Sequence, residues 1–125
     1  MLTAFIPIRV SQAEGNEETK ILSSCIAFVR AFSFWQPPQV ERAIELPVNS
    51  DYPRLGGWAL FSYRNKKTGE LDGHSALVIG ISTSSIIVLE SNFISNTITR
   101  REISLKDPYL RGFWSGSAFV SARNR

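Results

Sequence analysis

The sequence predicts an α+β domain with one amphipathic helix near its start and an antiparallel sheet after it. Three observations carry this. Cys25, Phe28, Val29 and Phe32 recur at helical spacing. From Trp58 onward, short apolar runs alternate with clusters of Gly, Ser, Asn and Asp, the pattern of strands and turns. No repeat, low-complexity tract or linker interrupts the 125 residues, which make one domain over 1–125.

The elements follow in order. Thr3 to Val10 is loosely alternating and suits an extended arm or a strand. Ser11 to Lys20 carries Glu14, Glu17 and Glu18 and reads as a loop. Ser23 and Ser24 are good N-cap residues for the helix, which should stop before Pro37-Pro38. Val40 to Leu46 suits one further helical turn, and Pro47 to Gly57 is turn-rich. Trp58 to Tyr63 is the first sheet strand, and Asn65 to Gly73 a loop. Ala76 to Ile81 reads as a buried strand opened by His74, and Ser82 to Ser85 as its turn. Ile86 to Leu89 is the returning strand; Thr97 to Leu105 and Phe113 to Val120 complete the sheet.

Composition narrows the chemistry. Hydrophobic residues make up 43% and charged residues 20%, which excludes wholesale disorder, collagen and a long coiled coil. One cysteine forbids an internal disulfide, and one cysteine with one histidine cannot build a four-ligand structural zinc site. No metal or organic cofactor is called for. The net charge of +3 permits an anionic partner without demanding one, and no nucleic-acid recognition motif accompanies it. Arg100-Arg101, Lys106 and Arg111 read best as a solvated charged surface. The apolar start, Leu2 to Ile8, is too short for a membrane span and makes a poor signal peptide.

Cys25 falls in the first turn of the helix, where the dipole and free N–H groups favour thiolate over thiol. His74, the sole histidine, is the only imidazole that could take the proton. A catalytic histidine needs a group to orient its ring. Hairpin pairing across Ser82–Ser85 brings the end of the returning strand opposite His74. An odd loop or a bulge puts Asn92 and Glu90 on the face of His74; an even loop puts Phe93 and Ser91 there instead. A carboxylate closing a buried strand needs a partner, and no Lys or Arg lies in the hairpin, so Glu90 is expected to pair with His74. Trp58 and Trp114 suit the core, and Trp35 is the candidate substrate-groove aromatic.

These residues stand in segments with a familiar order. Ser24-Cys25-Ile26-Ala27-Phe28-Val29-Arg30 resembles the nucleophile helix of the CHAP and NlpC/P60 peptidases. Pro53 to Phe61 is similar to their strand before the histidine, and Gly73-His74-Ser75-Ala76-Leu77-Val78 to their glycine-histidine box. Val88-Leu89-Glu90-Ser91-Asn92-Phe93 resembles the CHAP strand ending in Glu-x-Asn-aromatic, and Asp107 to Phe113 a closing segment of such domains. The resemblance covers about residues 20 to 114. It implies a papain-like α+β fold with the nucleophile helix packed on the sheet. It implies Cys25 as nucleophile, His74 as general base, and Glu90 and Asn92 as polar partners, either of which could orient the ring. It also implies a peptidase or amidase acting on peptidoglycan, within peptide bridges or at the amide joining glycan to stem peptide. Such domains work in phage virions, in the host cytoplasm before lysis, or secreted to the cell wall, sometimes inside a larger phage assembly. The competing expectations are a non-catalytic phage-tail piece and a module binding wall polymer or nucleic acid.

Overall fold

A computed structural model describes residues 8–9, 24–93 and 97–116. Six strands form one sheet in the order β1-β5-β4-β3-β2-β6, every neighbouring pair antiparallel. They are β1 (Ile8–Arg9), β2 (Trp58–Arg64), β3 (Leu71–Ile81), β4 (Ser85–Ser91), β5 (Thr97–Ser104) and β6 (Leu110–Trp114). Among the described residues the helical content is α1 (Cys25–Phe32) and a 3-10 turn, Ala43–Glu45.

This overturns the α+β, papain-like expectation of a helix layer packed on the sheet. The described residues are mostly antiparallel sheet, with one short helix and one 3-10 turn. The physical reason lies in the sequence after α1. Ser33 adopts an extended backbone and accepts no further helical turn, and Pro37 and Pro38 exclude helix where a longer one would run. Eight residues expose too little apolar surface to form a layer; α1 buries only Phe28 and Val29.

Those two side chains join Leu46, Trp58, Leu60 and Leu77 in one apolar cluster. The second cluster alternates with it along the strands: Ala59 and Phe61 of β2, Ala76 and Val78 of β3, and Ile86 and Val88 of β4. Period-two alternation thus gives each sheet face its own core. Trp58 is fully buried and Trp114 packs against the first cluster, so both tryptophans sit where the apolar pattern put them.

Several boundaries moved. The loop after β2 contracts because Asn65 Oδ1 accepts the backbone N–H groups of Lys67 and Thr68, closing a tight turn. Leu71, Asp72 and Gly73 are therefore strand, paired with Arg64, Tyr63 and Ser62. The last strand starts early, at Leu110, where Asp107 Oδ1 fixes the preceding turn by accepting from the Tyr109 N–H at 2.8 Å. Val40 to Leu46 holds the short 3-10 turn. The expected loop Ser11 to Lys20, most of the arm Thr3 to Val10, and residues 117–120 of the expected last strand lie outside the described residues.

Arg111 is not a solvated surface charge. It is half-buried, and its Nη2 donates to the Leu46 carbonyl at 3.1 Å, tying β6 to the 3-10 turn.

Candidate active site

Cys25 is the first residue of α1. Ser24 is its N-cap: the Oγ accepts the Ala27 N–H at 3.2 Å, and the Ser24 carbonyl accepts the Phe28 N–H at 3.0 Å. The Cys25 N–H has no partner within the helix, as at any first helical position. The thiol is thus held at the positive end of the helix dipole.

Gly73 brings β3 close to the 3-10 turn just before His74. A Cβ at residue 73 would lie 2.2 Å from the Ile44 backbone nitrogen. No side chain fits there, which is the physical content of the glycine before the histidine.

The hairpin resolves the question of register. Ile81 pairs with Ile86 and Gly80 with Ile87, so the loop between them has an even number of residues. Alone, this would point Ser91 and Phe93 to the His74 face. A bulge then intervenes: Ile79 is skipped, and Val78 pairs with Val88 and Leu77 with Leu89. The one-residue offset returns Glu90 to the face of His74.

The β3–β4 pairing ends at Leu77–Leu89. Val78 donates its N–H to Gly57, toward β2. By alternation the Ser75 N–H points to the other side, where the β4 ladder has stopped. The Cys25 thiol occupies this opening. It lies near enough to the His74 ring and to Ser75 for both to act on its ionisation. Ser75 is 0% exposed, and its Oγ has no hydrogen-bond partner.

His74 is 6% exposed, and its Nε2 lies 2.7 Å from Glu90 Oε1. With Nε2 committed to the carboxylate, Nδ1 is the ring nitrogen left for the thiol. Phe61 and Phe93 flank the ring at centroid distances of 5.9 and 5.7 Å. Glu90 is 0% exposed and fully engaged. Thr99 Oγ1 donates to Oε2 at 3.1 Å, Arg101 Nη2 donates to Oε1 at 3.0 Å, and Arg101 Nε donates to Oε2.

Arg101 and Thr99 are the site residues that sequence reasoning missed. Glu90 was given no cationic partner because none lies in the β3–β4 hairpin; the cation comes from β5 on the other side of β4. Glu90 faces Thr99 and Val88 faces Arg101 across that ladder, placing Thr99 and Arg101 on the Glu90 face. Arg101 is therefore not part of a solvated surface. Its guanidinium lies 3.8 Å from the Phe93 ring centroid.

Asn92 stands past the end of β4 in a left-handed conformation, φ 65°, its backbone N–H bonded to the Thr97 carbonyl. The partner on His74 Nε2 is Glu90. Trp35 has packing contacts of its own. Its carbonyl accepts the Trp58 indole N–H at 2.8 Å, and its ring lies against Gly116, where a Cβ would come within 2.4 Å.

The electrostatics follow from these contacts. Burial pushes the Cys25 thiol up, but His74 and Ser75 beside it outweigh this and hold the thiol below its ordinary 9.0. Burial would also depress His74, yet Cys25 and Glu90 push it up to about 9. Burial favours a neutral Glu90, but His74 and Arg101 keep its carboxyl below the ordinary range. Each shift favours the charged form of its group, so Cys25, His74, Glu90 and Arg101 make a row whose charges, when ionised, alternate in sign. Among the described residues, no group of His, Cys, Asp and Glu could hold a metal ion, and no helix is long and apolar enough to cross a membrane.

The chain matches no protein-family model, no curated protein and no solved structure.

Proposed function

We propose that the protein is a cysteine hydrolase that cleaves amide bonds, with peptidoglycan as its substrate. The observation that carries the reaction type is a helix-start Cys25 whose ionisation His74 favours, with that His74 hydrogen-bonded to buried Glu90. Peptidoglycan enters through the resemblance of the Cys25, His74 and Glu90 segments to wall peptidases.

The chemistry is as follows. The Cys25 thiolate attacks the amide carbonyl, and the carbonyl π electrons move to oxygen. The oxyanion is met by the Cys25 N–H, a donor of a kind worth ~3–4 kcal/mol to a transition state. The His74 imidazolium donates its Nδ1 proton to the leaving nitrogen as the C–N bond breaks. The now neutral ring takes a proton from water, hydroxide attacks the thioester, and the Cys25 sulfur leaves as thiolate. Glu90 keeps the ring oriented and stabilises its charged form throughout.

Purified peptidoglycan incubated with the wild-type chain should release new amine groups or soluble muropeptides, and Cys25→Ala should release none. Equal release by both would remove Cys25 as nucleophile. No release by either, with a folded and thiol-reactive wild type, would remove peptidoglycan as substrate.

A further inference from the structure

Arg101 is unusual for a charge in a small domain. Its Nε and Nη2 grip both oxygens of a carboxylate that has no solvent exposure. Its guanidinium is stacked on Phe93 and lies 5.8 Å from the Phe61 ring centroid. Phe61 and Phe93 are the same two rings that flank His74. A purely structural ion pair has no need to share its packing partners with the imidazole of a candidate catalytic pair.

The charge count points the same way. Cys25 thiolate, His74 imidazolium and ionised Glu90 together carry one net negative charge. Buried net charge is costly, and a proton would be drawn in to cancel it. Arg101 makes the row neutral without that proton. The groups facing Glu90 are His74 from β3 and Thr99 and Arg101 from β5. Tyr63 from β2 lies near enough to Arg101 for the two to interact, and Asp107 acts on Tyr63. Among these, only His74 and Arg101 bring positive charge to Glu90. If Arg101 were lost, the excess negative charge would be relieved by protonating Glu90 or the thiolate. Either route discharges the nucleophile: directly at Cys25, or through a neutral Glu90 that no longer supports the imidazolium.

We infer that Arg101 is a positioning residue which, acting through Glu90, keeps His74 protonated and Cys25 ionised in the resting site. Its side chain bonds Glu90 and packs on Phe61 and Phe93. The inference rests on the Cys25–His74 reading of the site and extends it by one strand, to β5.

The test follows the pH dependence of Cys25 alkylation by iodoacetamide, read by intact mass on the folded chain. As the sole cysteine, Cys25 gives an unambiguous signal. Arg101→Met keeps an apolar stem between the two phenylalanines and removes the charge. It should move the alkylation midpoint up by at least ~1 pH unit, so that the rate on the acid limb falls about tenfold. Arg101→Lys retains the charge but not the fork, and should fall between wild type and Arg101→Met. A lower Tm with an unchanged midpoint in Arg101→Met would make Arg101 structural only and overturn the inference. If Arg101→Met does not fold, Arg101→Lys decides: a midpoint identical to wild type overturns it, and an upward shift supports it. A wild-type thiol that titrates at its ordinary value would sink the Cys25–His74 reading and this inference together. A shifted wild-type midpoint without peptidoglycan cleavage leaves the inference standing and removes only the substrate.

Discussion

Replacing Glu90 by Gln removes one charge from the middle of the buried row and almost no volume. The structure gives the expected size of the effect. His74 rises from 6.5 to about 9 against its own burial, which corresponds to about 3 kcal/mol in favour of the charged ring. Two partners supply that lift, Cys25 and Glu90. A charge-assisted hydrogen bond is typically worth about 1.5–3 kcal/mol, so the Glu90 share is large. Glu90→Gln should lower the His74 midpoint by about 1–2 pH units. It should also cost stability, because Arg101 is left half-buried without its anion; breaking a buried pair from one side typically costs ~3–5 kcal/mol. The assay is simple here because the chain has a single histidine. Its imidazole resonances can be followed by NMR from pH 5 to 10, with urea unfolding run in parallel. A His74 midpoint that stays at about 9 in Glu90→Gln would refute the reasoning, since the Glu90 carboxylate would then not hold the ring charged.

Other consequences concern the scaffold. Gly73→Ala forces a Cβ into the Ile44 backbone; overpacking of this kind costs ~1–3 kcal/mol, and urea unfolding should show it together with slower Cys25 alkylation. Ser24→Ala removes the helix cap at Ala27 and should cost about 1 kcal/mol in the same unfolding assay. Acid sensitivity should be visible in wild type. Folded Glu90 ionises below its ordinary 4.5, so below that pH the unfolded chain binds the extra proton. Stability therefore falls as pH drops through the depressed range. Chemical denaturation at stepped pH should show this slope in wild type and a flatter one in Glu90→Gln.

The ingredients of the site were legible in the sequence, and their supports were not. Cys25 could be placed at a helix start because Ser24 precedes an apolar period. His74 and Glu90 could be placed at facing ends of one hairpin because short strands pair locally. The parity of that hairpin depended on Ile79, a bulge whose only sequence mark is the neighbouring Gly80. Arg101 was hidden for a different reason. An Arg-Arg dipeptide in a polar strand looks solvated whichever residue points inward. Only the β4–β5 register, Val88 facing Arg101, decides which arginine reaches Glu90. The fold class went wrong at α1, where a good cap and a good apolar period supported only eight residues of helix. A periodic start says little about whether a helix grows long enough to form a layer.

The central claim is that Cys25 rests as a thiolate paired with the His74 imidazolium. Thiolate absorbance at 240 nm, titrated against pH and taken as the difference from Cys25→Ala to remove the tyrosinate signal, tests it on one thiol because the chain has one cysteine. The account predicts a wild-type midpoint clearly below 9.0, and a return toward that ordinary value in His74→Ala. A wild-type midpoint at or above 9.0, unchanged by His74→Ala, would contradict it.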